Sequence, residues 1–205
     1  YLFLFLFFNC HFTISLKAEP TLVDGTVVDD QGGDANTAPE RYTTGLSFNN
    51  NGTKMFITGT ENRSVNEFTL STAFDISTRS FVDAFSVRGT GANEDVAPTS
   101  AKFNHDGTKM FTAGFKQFIK EFSLSTAFDV STSTFEQIKD LSTELTANKP
   151  KDVEFNADGT KMFILETSSI YVYTLSTAFD ISTASYDDYA FSTADYETSL
   201  TGFDF

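Results

Sequence analysis

A nine-residue block occurs three times in this chain. Phe48-Asn49-Asn50-Asn51-Gly52-Thr53-Lys54-Met55-Phe56 returns as Phe103-Asn104-His105-Asp106-Gly107-Thr108-Lys109-Met110-Phe111, and again as Phe155-Asn156-Ala157-Asp158-Gly159-Thr160-Lys161-Met162-Phe163. A second block, Leu70-Ser71-Thr72-Ala73-Phe74-Asp75, recurs at Leu124 to Asp129 and at Leu175 to Asp180. The first block steps by 55 and then 52 residues, and Phe203-Asp204-Phe205 opens a fourth copy 50 further on. Self-similarity at this period means a repeat architecture, in which each unit buries its apolar faces against its neighbours.

Each copy reads as four strand-like runs. The first ends in Leu46-Ser47-Phe48, Ala101-Lys102-Phe103 or Val153-Glu154-Phe155. The Asn-x-Asp-Gly-Thr that follows is hairpin chemistry: Asn opens a type I turn, and Gly supplies the left-handed residue of a G1 bulge. Gly107→Ala is expected to cost about 1–2 kcal/mol on backbone grounds alone. The second run, Met55-Phe56-Ile57 and its copies, is continuously apolar, as in a strand covered on both faces. The third, Val65 to Leu70, alternates with period two, and the fourth starts at Phe81, Phe135 and Tyr186. Repeated aromatics such as Phe74, Phe128 and Phe179 are expected to wedge between units. Asp75, Asp129 and Asp180 are expected to bond their own turn backbone.

Four strands per unit, sheets covered on both faces and turns at fixed offsets describe propeller blades. The expected fold class is all-β, a partial β-propeller of about three four-stranded antiparallel blades plus the start of a fourth. The expected division is blade 1 at 41–98, blade 2 at 99–150, blade 3 at 151–199 and the first strand of a fourth blade at 200–205. A β-sandwich or a solenoid of sheets is the competing fold. The Asp106-Gly107-Thr108-Lys109 turn followed by an apolar strand resembles the repeats of YVTN-type and lactonase-like β-propellers, over residues 41 to 205. That motif is generic among propellers and names no activity; what the resemblance implies is a lactonase option, with carboxylates around a central metal. WD40 repeats fit badly because there is no Trp, and Kelch repeats because Gly32-Gly33 is the only Gly pair.

Residues 1–18 open with the apolar run Tyr1 to Phe8, too short to span a bilayer and suited to a secretory signal. Residues 19–40 form a leader, in which Thr21 to Val28 has the character of a latch strand. Both ends read as cut, so a fragment of a longer secreted, surface-exposed or periplasmic protein is expected, with its remaining blades as partners. Cys10, inside the signal, is the only cysteine, which excludes a disulfide framework from the mature part. The formal charge of −14 disfavours nucleic acid and anionic membrane surfaces as partners.

Function is expected where the copies differ. The turns after the first strand and the loops after the third are nearly identical, whereas the connections after the second and fourth strands change every time. In an up-and-down blade those two variable connections emerge at the same end, and loops on a rigid scaffold carry recognition. The ligand-binding candidates are therefore Glu61, Asn62, Arg63, Glu94, Asp95, Lys116, Lys149 and Glu166. No catalytic residue is assigned: the one histidine of the mature part, His105, occupies a turn position held elsewhere by Asn50 and Ala157. Asp29, Asp30 and Asp34 are oxygen-rich candidates for calcium, without the spacing of an EF-hand; no other cofactor is expected. The leading expectation is a non-catalytic module that binds a glycan, peptide or protein. A calcium-dependent lactonase-type hydrolase and an adhesive segment of a surface protein are the alternatives.

Overall fold

The computed structural model describes residues 42–89, 91, 94, 95, 97–145, 149–195 and 199–204. The leader, with Asp29, Asp30 and Asp34, lies outside them. The described residues are all-β apart from isolated turns of 3-10 helix. Three antiparallel sheets follow one another along the chain, each with four strands paired in sequence order. The first holds β1 (Thr43–Phe48), β2 (Lys54–Gly59), β3 (Ser64–Leu70) and β4 (Arg79–Ser86). The second holds β5 (Pro98–Phe103), β6 (Lys109–Gly114), β7 (Phe118–Leu124) and β8 (Ser133–Asp140). The third holds β9 (Asp152–Phe155), β10 (Lys161–Leu165), β11 (Ser169–Leu175) and β12 (Ala184–Ser192). The first strands β1, β5 and β9 touch in succession and form the hub, so the sheets are blades of a propeller.

Register explains the repeat. Phe48 opposes Met55, Met55 opposes Phe68, and Phe68 opposes Phe81, which puts all four on one face of blade 1. The other face presents Phe56 and Val65, which pack with Ala101, Met110, Phe122, Leu124 and Val130 of blade 2. Blade 2 repeats this toward blade 3, where Phe111 and Ile119 meet Met162, Ile164, Tyr173 and Ile181. The expected wedges are present at both junctions. Phe56 lies 4.3 Å from the Phe103 ring and 6.4 Å from Phe128; Phe111 lies 4.4 Å from Phe155 and 6.4 Å from Phe179. Burying one such ring stabilises the pair of blades by about 1.5–3 kcal/mol. Phe74, the equivalent ring on blade 1, is 60% exposed because no described blade precedes it.

The conserved turn carries a second constraint. Gly107 has φ +72°, and a Cβ there would meet the Phe128 ring at 2.2 Å; Gly52 and Gly159 are in the same position under Phe74 and Phe179. The three Phe residues themselves adopt positive φ, near +60°, to lay their rings over the glycines. Backbone conformation alone therefore understates what a side chain at Gly107 would cost. Asp75, Asp129 and Asp180 cap the single 3-10 turns that follow, each accepting from the Ser two residues on.

A buried ion pair spans each junction. Glu67 binds Lys54 Nζ at 2.7 Å and accepts from the Val130 N–H of blade 2 at 2.9 Å, while Lys54 Nζ donates to the Phe128 carbonyl. Glu121, Lys109, Ile181 and Phe179 repeat the arrangement between blades 2 and 3. Blade 3 has Val172 at this register, and its Lys161 turns to Asp187 and Thr174 instead.

Candidate functional site

The strand directions place the variable connections at one end of the blades. Each fourth strand is followed by a residue whose N–H donates into the preceding variable connection: Val87 to Arg63, Leu141 to Gln117 and Thr193 to Ser168. At this end the candidates of blades 1 and 2 converge. Arg88 clamps Glu94 Oε1 through Nε at 2.7 Å and Nη2 at 2.5 Å. That hydrogen bond, with the charges of Arg88, Arg63 and Lys116, holds the Glu94 carboxyl below the usual carboxylate range. Lys149 brings its ammonium 4.5 Å from the centre of the Phe115 ring, a cation–π contact from the next connection. Glu61 and Asn62 lie in the same loop as Arg63.

Asp95 and Glu166 differ from the rest because both are buried. Asp95 Oδ1 accepts from the N–H groups of Ala97 and Phe115, both at 3.1 Å, which ties the entry of blade 2 to its own variable loop. Gly114 has to be glycine beside it, since a Cβ would come 1.8 Å from Asp95 Oδ2. Glu166 accepts from the Tyr171 hydroxyl at 3.4 Å. These two carboxylates order the loops, and the exposed Arg88–Glu94 pair and its cationic neighbours are what a ligand would meet.

A second constellation lines the hub, and sequence reasoning missed it. Residues one place before each repeat Phe are Ser47, Lys102, Glu154 and Asp204, and three places before stand Gly45, Ser100, Asp152 and Gly202. The second set lines a recess of about 350 Å³ and the first an adjoining one of about 520 Å³, with Lys102 and Asp204 in the walls of both. Lys102 Nζ bonds Glu154 and lies 3.9 Å from Asp152. Burial pushes the Asp152 and Glu154 carboxyls up despite that ammonium. Burial also acts against the Lys102 charge, but Asp152 and Glu154 outweigh it, and its pKa lies above the ordinary lysine value. The signal was available: aligning the copies one position before Phe sets Lys102, Glu154 and Asp204 in register.

Neither place fits a divalent cation as arranged. Among the described residues no three His, Cys, Asp or Glu side chains are grouped to hold a metal. At the hub the Lys102 ammonium sits among the carboxylates that a cation would need. His105 lies in an exposed turn and contacts Asn50 of the neighbouring turn.

No protein-family model matches the chain, and no curated protein matches it. Solved structures do. A candidate 6-phosphogluconolactonase of Bacteroides fragilis matches 80% of this chain and 42% of its own, at 12% identity and a TM-score of 0.55. The periplasmic gluconolactonase of Pseudomonas aeruginosa matches 77% of this chain and 41% of its own, at 12% identity and TM-score 0.54. The hydrazine synthase of Kuenenia stuttgartiensis matches 80% and 40%, at 13% identity and TM-score 0.52. The chain thus spans about two fifths of the length of these proteins. Similarity at this identity shows the fold alone, and that fold is the β-propeller, with three four-stranded blades resembling those of lactonase-type propellers.

Proposed function

We propose that this chain is part of an exported β-propeller that binds a carboxylate-bearing glycan or peptide at the variable-loop end, without turning it over. The observation that carries this reading is the Arg88 clamp on the half-exposed Glu94, with the charges of Arg63 and Lys116 acting on the same carboxylate, on loops braced by the buried Asp95. Arginine presents planar, paired donors suited to a carboxylate, and the Lys149–Phe115 contact adds a flat face suited to a sugar ring or side chain. The apolar run at residues 1–8 supports export. Among the described residues no helix is long and apolar enough to cross a membrane.

The test is titration of the protein with an acidic oligosaccharide such as oligogalacturonate and with a poly-glutamate peptide, at low and high salt. Binding that weakens about tenfold in the Arg88→Glu and Lys116→Glu variants, and weakens with salt, supports the reading. Equal binding by the variants, or no binding of either ligand, overturns it.

A second reading, a calcium-dependent lactonase-type hydrolase, draws on the hub carboxylates Asp152, Glu154 and Asp204. It requires either displacement of Lys102 or further ligands such as Asp29, Asp30 and Asp34. Calorimetric titration with calcium, alongside a lactone-hydrolysis assay before and after chelation, separates it from binding alone.

A further inference from the structure

Lys120 breaks the repeat. It occupies the centre of β7 at the register held by Asn66 in blade 1 and by Tyr171 in blade 3. It is 1% exposed, which is unusual for a lysine, and it has no carboxylate within ion-pair distance among the described residues. Its Nζ donates instead to two carbonyls of blade 1, Val87 at 2.6 Å and Arg88 at 2.9 Å. A neutral amine has two N–H donors, so this pair of acceptors satisfies it fully and leaves a lone pair. A protonated amine would have only the face of the Phe118 ring, whose centre lies 5.5 Å from Nζ, for its third donor.

Burial favours the neutral form, while the Phe118 ring face and the Asp95 and Glu94 charges favour the ammonium. Lys120 forms part of the wall of a cleft of about 220 Å³ between the outer strands of blades 1 and 2. Phe85, Phe122 and Phe135 supply its apolar sides, with Phe85 and Phe122 packed edge to face at 5.5 Å. Burial pulls the amine down to about 8, against the raising influence of Asp95 and Glu94. A desolvated lysine in an apolar pocket is the form in which this side chain acts as a nucleophile near neutral pH. A structural staple between blades is the competing role, and the cleft beside the amine is what a staple does not require.

We infer that the Lys120 cleft captures small apolar aldehydes, which enter beside Phe135 and condense with the lysine amine. The nitrogen lone pair attacks the carbonyl carbon, the two amine protons pass to the carbonyl oxygen, which leaves as water, and a carbon–nitrogen double bond remains. No oxidant or reductant enters this step, and water in excess reverses it. Lys120 touches the loop site only through the Arg88 carbonyl, and its labelling and the binding of an acidic ligand are read by different experiments, so either assignment can fail without the other.

Benzaldehyde with cyanoborohydride is the probe, because reduction fixes the imine as a benzyl group that peptide mass mapping can locate. In the folded protein at pH 7.5, Lys120 is expected to be labelled at least about tenfold faster than exposed lysines, because about a quarter of its amine is unprotonated at that pH against about one in a thousand of theirs. Excess toluene, which fills the cleft but has no carbonyl, should slow that labelling alone. Ser86→Trp is expected to occupy the cleft and remove Lys120 labelling, with the far-ultraviolet circular dichroism of the wild type. Labelling confined to exposed lysines, labelling of Lys120 only in urea, or unchanged labelling in Ser86→Trp would each overturn the proposal.

Discussion

The two ends of the blades follow opposite rules. At the turn end the same bonds recur in every copy: glycine under phenylalanine, aspartate capping a 3-10 turn, and threonine bonded to Asn51, Asp106 or Asp158. At the loop end the bonds that recur are backbone closures and a threonine hydroxyl at the start of the first strand, Thr44 to the Pro98 carbonyl and Thr99 to the Pro150 carbonyl, whereas the described side chains of the variable connections bond differently in each copy. Asp95 braces one connection, Lys120 crosses to another, and Glu166 meets a tyrosine in the third. The difference separates constraint from freedom. Positive φ and ring-on-backbone contact leave few residue types at the turn end, whereas the loop end is fixed by whichever side chain each connection happens to bury. Chemistry that differs between blades therefore gathers at the loop end, with the hub residues before each turn and the Val172 register of blade 3 as the exceptions.

The largest expected effect tests whether the turn end also holds blade to blade. Glu121 is 2% exposed, and its removal would leave the Lys109 ammonium and the Ile181 N–H without their common acceptor. Glu121→Ala is expected to destabilise the protein by about 3–5 kcal/mol, as for breaking one side of a buried pair. Denaturant unfolding measures this directly. A loss under about 1 kcal/mol, comparable to that of an exposed loop-end pair, would erase the distinction between the two ends.

Gly107→Ala comes next. The left-handed backbone disfavours a Cβ by about 1–2 kcal/mol, and the Phe128 ring at 2.2 Å has to move as well, for a total of about 2–3 kcal/mol. The double variant with Phe128→Ala sharpens the comparison. It should cost less than the sum of its parts, because without the ring only the backbone term remains. Strict additivity would mean that ring and glycine are independent, and the recurring positive φ of the three phenylalanines would then need another cause.

Most of the turn end was legible in the sequence because its interactions are local. Asn49 and Asp75 act within a few residues of themselves, and period-two alternation marked Val65 to Leu70 as a strand with Phe68 and Leu70 on one face. The loop candidates were legible as positions but not as roles. Asp95 reads like Glu94, yet one is buried as a brace and the other lies outside against Arg88. What the sequence concealed are contacts across blades. Glu67 reaches Val130 and Lys120 reaches Val87 only once neighbouring sheets are stacked, and Lys102 meets Glu154 only at the hub. Val172 carries the same lesson in reverse: a copy that lacks Glu at this position looks like ordinary drift until the junction is seen.

The smallest expected effect is a pH dependence at the loop end. Lys120 has a folded-state pKa near 8, below its unfolded value of about 10.4. Below pH 8 both states hold the proton, and the fold bears the full cost of burying a charge. Between pH 8 and about 10.4 the unfolded chain binds more protons than the folded one, so stability rises with pH. Glu94, whose charge acts on this amine, is held below the usual carboxylate range by Arg88 and stays ionised throughout that window. Relative to Lys120→Met, the wild type should therefore gain about 1 kcal/mol from pH 8 to pH 9, measured as the difference between two denaturant midpoints scaled by their slopes. A flat difference would mean that the ammonium stays charged against the Val87 and Arg88 carbonyls. The loop end would then hold a conventional staple, like the turn end, and the contrast between the two would narrow to sequence variety alone.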